Sequence, residues 1–88
     1  MTQIDVRCDP HGDAWRCTVD LGVTRHDVGV ARADLDRLDP GAADPTDLVR
    51  RSFAFLLDRE SPTSILRSFD LPVIGRYFPE YERTIRRG

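Results

Sequence analysis

The sequence predicts an α+β domain, in which a three-stranded antiparallel β-meander is followed by three to four short helices packed on one face of the sheet. Up to about residue 38, apolar and polar residues alternate with a period of two, which is typical of half-buried strands. From residue 45 onward, apolar residues recur at helical spacing behind residues that begin helices. Since only one face of each predicted strand is consistently apolar, the helices should cover one face of the sheet.

The three strands are expected at residues 4–8, 15–21 and 24–32. Residues 9–13 contain proline and glycine and predict the turn between the first two strands. A helical turn at 33–38 should lead the chain away from the sheet. Residues 1–38 form the β-meander and 45–88 the helical part of a single domain, 1–88, because a chain of 88 residues has the size of one domain.

The main helix is expected to begin at Asp44, whose side chain can cap it, with Pro45 at the first helical position. It should run to residue 60 and place an apolar stripe on the sheet. Ser61 and Pro62 repeat the device of a capping residue before a proline. Pro79 should interrupt the chain again because proline cannot continue a helical hydrogen-bond ladder. Three further short helical segments are therefore predicted, at 61–69, 70–78 and 80–87.

The predicted core combines the apolar face of the strands with the stripe of the helices. Its expected members are Val6, Trp15, Cys17, Val19, Val28, Val30, Leu48, Phe53, Leu56, Leu57, Ile65 and Leu66.

The composition argues against a nucleic-acid-binding face and a membrane protein. All thirteen basic residues are arginine, and the net charge of −2 divides into −4 for residues 1–44 and +2 for residues 45–88. This polarity is well short of a basic patch. No apolar run approaches the ~18–20 residues of a membrane span, and the N-terminus lacks the regions of a signal peptide. A soluble, cytoplasmic protein is expected.

The two cysteines, Cys8 and Cys17, lie in consecutive predicted strands. A short loop puts Val6 opposite Trp15 or Cys17, so that Cys8 is at best diagonal to Cys17, and a disulfide requires closer geometry. Without a secretion signal, two reduced and buried thiols are predicted.

No catalytic set can be assembled from the sequence. His11, His26, Cys8 and Cys17 match no common zinc spacing. His11 falls in a turn and should be solvated, whereas His26 shares a strand face with valines and should be a packed or edge histidine. We therefore predict no metal, no cofactor, no small-molecule substrate and no enzymatic activity.

The C-terminal segment carries the one pattern that is unlike an ordinary core. Arginine and tyrosine are enriched at the energetic centres of protein interfaces. The protein-binding candidates are Arg76, Tyr77, Phe78, Tyr81 and Arg83. They suggest a non-catalytic protein–protein interaction or regulatory module with a protein partner. The alternative is that Phe78 and one tyrosine cover the core while the arginines are solvated.

A second functional hypothesis is a DNA-binding antitoxin or transcriptional regulator that uses residues 64–78. This segment reads as helix 64–69, turn 70–72 and helix 73–78, which is similar to a helix-turn-helix. Residues 4–6, residues 12–17 around Trp15, and the predicted helix 44–60 carry a further resemblance. Over residues 3–60 the order of these elements resembles that of HicB-like antitoxins, which implies a meander followed by a helix. The segment from Ser61 onward has no counterpart in that arrangement.

A homodimer is also predicted. Three strands leave two open edges, and the face of the third strand that carries Gly29 and Ala31 is poorly filled by its own side chains. A second copy could pair with an edge or pack helices on this flat face.

Overall fold

The structure is a computed structural model that describes residues 3–86, and its sheet has four strands. They are β1 Asp5–His11, β2 Ala14–Asp20, β3 Arg25–Ala31 and β4 Ser68–Asp70, in that spatial order. The first three form the predicted antiparallel meander, whereas β4 pairs with β3 in parallel. The α+β class is confirmed, and the three-stranded antiparallel sheet is corrected to a four-stranded mixed one.

Four α-helices and one 3₁₀ helix make up the rest of the regular structure in the described part of the chain. They are α1 Arg32–Leu38, α2 Thr46–Leu57, the 3₁₀ helix Pro62–Ser64, α3 Val73–Tyr77 and α4 Tyr81–Ile85. Residue 87, at the end of the predicted segment 80–87, lies outside the described residues. Within residues 3–86, no helix has the length and apolar character needed to cross a membrane.

The predicted helix 61–69 is wrong beyond residue 64, because the chain becomes extended there and forms β4. Phe69 and Leu71 alternate with the polar residues Ser68 and Asp70, so the segment has the period of a strand. The pairing with β3 then fixes this conformation, and backbone hydrogen bonds extend it by one residue beyond each end of β4.

Helix α2 begins one residue later than predicted, since Pro45 is its N-cap and Thr46 its first helical residue, and it ends at Leu57 and not at residue 60. The Asp44 carboxylate accepts a hydrogen bond of 2.9 Å from the backbone N–H of Thr46. Hydrogen bonds from the Thr46 side chain and backbone lower the pKa of Asp44. The apolar stripe of α2, which includes Leu48, Val49 and Phe53, is buried.

The core agrees with most of the predicted residues. Val6 and Leu57 are only partly buried. Leu66 is 48% exposed, so its assignment to the core was wrong. Because the chain is extended after the 3₁₀ helix, Ile65 and Leu66 point to opposite sides, and only Ile65 is buried. Helix α2, the short helices and the loops add core residues that were not predicted: Leu21, Leu35, Leu38, Val49, Phe55, Leu71, Ile74, Tyr81 and Ile85.

The prediction of two reduced cysteines is contradicted, because Cys8 and Cys17 form a disulfide. Strand β1 continues through the expected turn as far as His11, so the hairpin loop contains only residues 12 and 13. Gly12 has a φ of 65°, which suits the first loop position of such a tight turn. This register places Cys8 directly opposite Cys17, with Cα atoms 4.0 Å apart. Directly opposed residues of an antiparallel ladder lie close enough for a disulfide, whereas residues in the diagonal placement expected from the sequence do not.

The structure also removes the reason for expecting a homodimer through the third strand. Strand β3 is internal, between β2 and β4. Gly29 is covered by side chains of the same molecule, since a Cβ atom there would lie 2.6 Å from Asp70 Oδ1 and 3.3 Å from an Arg16 guanidinium nitrogen. The edges of the sheet are β1 and β4, and the dimer itself stays a prediction.

We predict that Trp15→Ala lowers the free energy of unfolding by about 3–5 kcal/mol, because it empties a large core position. Trp15 is 8% exposed, and the guanidinium of Arg32 lies 5.1 Å from its ring centre. The measurement is urea denaturation. Val23→Ala is the control, since Val23 is 77% exposed and its truncation should change stability by less than about 0.5 kcal/mol. Equal effects of the two substitutions would contradict this assignment of the core.

Candidate interaction site

The five candidate residues of the C-terminal segment lie in different environments. Tyr77, Arg76 and Arg83 are exposed, Phe78 is half-buried, and Tyr81 is fully buried. The structure therefore does not bring the five together on one surface.

Tyr81 belongs to the core, so its assignment to a binding surface was wrong. Its hydroxyl lies 2.7 Å from Oγ of Ser52, and Ser52 in turn donates its own proton to the carbonyl of Leu48. Tyr81 must therefore be the donor to Ser52. The ring packs edge-on against Phe55, at 5.4 Å between centroids. Burial raises the pKa of Tyr81 to about 12.

Arg76 lies at a cleft in which charged side chains border a mainly apolar lining. Arg16, Asp34 and Asp70 line the same cleft, together with His11 at the end of β1. Among residues 3–86, no three histidine, cysteine or acidic side chains are placed to hold a metal ion.

Tyr77 and Phe78 border an open apolar groove with a volume of about 270 Å³. The groove lies between the end of α2, the 3₁₀ helix, β4 and α3. Its other apolar walls are Leu56, Ile65, Leu66, Phe69, Val73 and Ile74, and Glu60 and Ser64 are its polar members. Two of the three large apolar side chains that are exposed among residues 3–86 border this groove, Tyr77 at 66% and Leu66 at 48%. We call this feature the Tyr77 groove.

His26 holds one wall of the Tyr77 groove in place. Its ring is fully buried in β3, and Nδ1 lies 2.7 Å from the carbonyl oxygen of Leu66. Since a carbonyl only accepts, Nδ1 must carry the proton. The hydroxyl of Thr24 lies 2.8 Å from Nε2, which accepts its hydrogen bond in the neutral ring. The ring also packs 5.5 Å from that of Phe53. Of the two expectations for His26, the packed histidine is the one observed.

The opposite wall depends on Phe55 in α2. The ring of Phe78 packs edge-on against Phe55 at 5.8 Å, and the Arg59 guanidinium lies 3.6 Å from the centre of the Phe55 ring. Arg59 also donates to Glu80 at 3.3 Å. These contacts connect the end of α2 with the segment between α3 and α4, so the groove is formed by packed, anchored walls.

Residues 64–78 do not form a helix-turn-helix. The expected first helix is an extended segment that leads into β4, and α3 contains only five residues. A recognition helix must present several side chains along a groove of DNA. The structure provides no such element in this segment.

Comparisons with protein-family models, with curated proteins and with solved structures find no match to this chain. The resemblance of residues 3–60 to HicB-like antitoxins therefore stays a prediction.

We predict that His26→Leu destabilises the protein by about 2–4 kcal/mol although it keeps an apolar side chain of similar size. The substitution leaves the buried hydroxyl of Thr24 and the part-buried carbonyl of Leu66 without their partner, at a cost of up to roughly 3 kcal/mol for each group. Denaturant unfolding measures the loss. The double variant Thr24→Val/His26→Leu is the control, because it removes one unpaired group and should be more stable than His26→Leu alone. A fully stable His26→Leu would show that the hydrogen bonds do not anchor this wall.

A second prediction uses the pKa of Tyr81, which is raised from 10.0 to about 12 in the folded protein. Because the folded value lies above the unfolded one, this stability is fully present below pH 10 and is lost as the pH rises towards 12. The loss should reach about 2 kcal/mol. Tyr81→Phe should lack this part of the alkaline decline, while losing about 1 kcal/mol at neutral pH with the hydrogen bond to Ser52. Parallel unfolding curves of the two proteins from pH 9 to 11.5 make the comparison, and identical declines would contradict it.

Proposed function

We propose that this protein is a non-catalytic interaction module, with a regulatory or accessory role, that binds a protein partner through the Tyr77 groove. The observation that carries the proposal is the open apolar groove flanked by two large exposed side chains, Tyr77 and Leu66. Large apolar side chains grouped around a concavity are typical of binding sites, whereas scattered exposed ones are ordinary. Tyrosine also combines a large contact area with little entropy lost on binding.

The size of the groove favours side chains of a protein over a larger ligand. Its volume of about 270 Å³ lies just below the roughly 300–1,000 Å³ of small-molecule sites. Its walls are held by His26 and Phe55 before any partner arrives. A preformed site of this kind loses little conformational freedom when an apolar anchor residue enters it.

The neighbouring edge of the sheet indicates the form of the partner. Strand β4 is the outermost strand on this side, and its Phe69 also lines the groove. An edge strand offers backbone groups to a further strand. We therefore propose an extended segment of the partner that runs along β4 and inserts an aliphatic or aromatic side chain between Leu66 and Tyr77. A cytoplasmic location is proposed with it.

The test is site-specific photo-crosslinking in cells of the source organism. A photoreactive phenylalanine analogue replaces Tyr77 in one protein and Val23 in the control, since Val23 is also an exposed apolar residue but does not line the groove. We expect a discrete adduct with one protein at position 77 and none at position 23. Leu66→Glu should abolish the adduct at position 77, because it places a charge on the groove wall.

The partner identified in this way permits a quantitative test. Tyr77→Ala should weaken its binding at least tenfold, since the loss of a central interfacial tyrosine costs about 2 kcal/mol or more and about 1.4 kcal/mol is tenfold. Folding should be unaffected because Tyr77 is 66% exposed. Titration calorimetry measures the binding, and Val23→Ala is the control. The proposal would be refuted by adducts of the same kind at positions 77 and 23, or by unchanged binding of Tyr77→Ala. An adduct with a second copy of this chain would mean that the groove forms a homodimer and does not bind another protein.

A further inference from the structure

The disulfide connects the edge strand β1, which has no fully buried residue, to its hairpin partner β2, which contributes to the core. Five of the seven residues of β1 are exposed, and only Val6 and Cys8 are half-buried. In β2, by contrast, Trp15, Cys17 and Val19 are all buried. Because β1 is an edge strand, it has hydrogen-bonding partners on one side only.

We propose that Cys8 and Cys17 form a reversible thiol–disulfide site, and that its reduction frees β1 from the sheet while the remaining fold persists. The buried core comes from β2, β3, the helices and the loops, and no residue of β1 is fully buried. The loss of β1 therefore removes only partly buried contacts, chiefly those of Val6 and Cys8 with the core. The Cys8–Cys17 disulfide offsets these few buried contacts by linking β1 covalently to β2.

The two cysteine residues differ in exposure, and this difference favours attack at Cys8. Cys17 is 1% exposed, whereas Cys8 is half-buried at the sheet edge. A thiolate of a dithiol reductant of the thioredoxin class attacks Sγ of Cys8 and forms a mixed disulfide. The bond between the two protein sulfurs breaks, and the electron pair leaves on Sγ of Cys17, which takes up a proton. The second thiol of the reductant then releases Cys8 as a thiol and becomes part of the reductant's disulfide, so that two electrons and two protons are transferred.

The consequence of reduction is local because the bridge closes a short loop. Cys8 and Cys17 are nine positions apart and span only the β1–β2 turn. Without the bridge, the opened state of β1 regains the freedom of this loop, which should increase its population by about 10- to 100-fold. In a reducing compartment the fraction of molecules with the disulfide would follow the ratio of thiols to disulfides around the protein. In an oxidising compartment the disulfide would stay formed.

The test is residue-resolved hydrogen exchange of the full-length protein, measured by NMR in the oxidised state and after reduction with dithiothreitol. We expect the amides of β1 to exchange about 10- to 100-fold faster after reduction. Those of buried residues in other elements, such as Val28 in β3 and Phe53 in α2, should change by less than about threefold. Return of slow exchange on reoxidation would show reversibility.

The control is Cys8→Ala/Cys17→Ala. Its β1 amides should exchange as fast as those of the reduced protein, and dithiothreitol should not change their rates. If this variant fails to fold, the reduced wild-type protein decides the outcome by itself. Free thiols in the air-oxidised protein, unchanged exchange in β1, or equal acceleration in β1, β3 and α2 would each overturn the proposal. Equal acceleration would mean that the bridge supports the whole fold. None of these outcomes depends on the Tyr77 groove.

Discussion

The hydrogen bond from the buried His26 to the carbonyl of Leu66 decides where the last third of the chain meets the sheet. It joins residues 40 positions apart, and the His26 side of the bond is fully buried. Next to it, the N–H of Asp27 donates to Arg67, and the N–H of Leu71 donates to Gly29, so the parallel pairing of β4 continues from the same point. The position of β4 then determines that of α3. The Tyr77 groove is the space between the end of α2 and the segment that His26 anchors to the sheet.

The charged and aromatic side chains of the C-terminal segment have two different tasks. Tyr81 and its partner Ser52 lie inside, and Arg51 of α2 donates to the carbonyl of Ile85 at 2.6 Å and to Asp39 at 2.9 Å. Arg51 is only 20% exposed, so its contacts close α4 over the core. Tyr77 is left on the surface by the same packing. The arginines and tyrosines near the end of the sequence therefore include both residues that stabilise the fold and residues that are free to bind a partner.

The sequence predicts the parts of this fold that depend on local patterns. The alternation in β1–β3 and the capped apolar stripe of α2 arise from neighbouring residues. Strand β4 has only three residues, and its pairing with β3 depends on contacts that no local window contains. The disulfide was missed because one assumed turn length shifts the register of Cys8. Tyr77 and Tyr81 have the same chemistry, and which of them faces Phe55 depends on how two five-residue helices sit on α2.

The strand order separates the two proposed activities within one small sheet. The redox site lies on β1 and β2, whereas the Tyr77 groove lies beyond β4, and strands spaced about 4.8 Å apart put roughly 14 Å between the two edges. Between them, the core-facing side chains of β2 and β3, such as Val19 and Val28, are completely buried. A change at β1 could reach the groove only by moving these packed side chains, and close-packed interiors resist such displacement. Since His26 anchors the groove from β3, opening of β1 leaves that anchor intact, and the two edges can act independently.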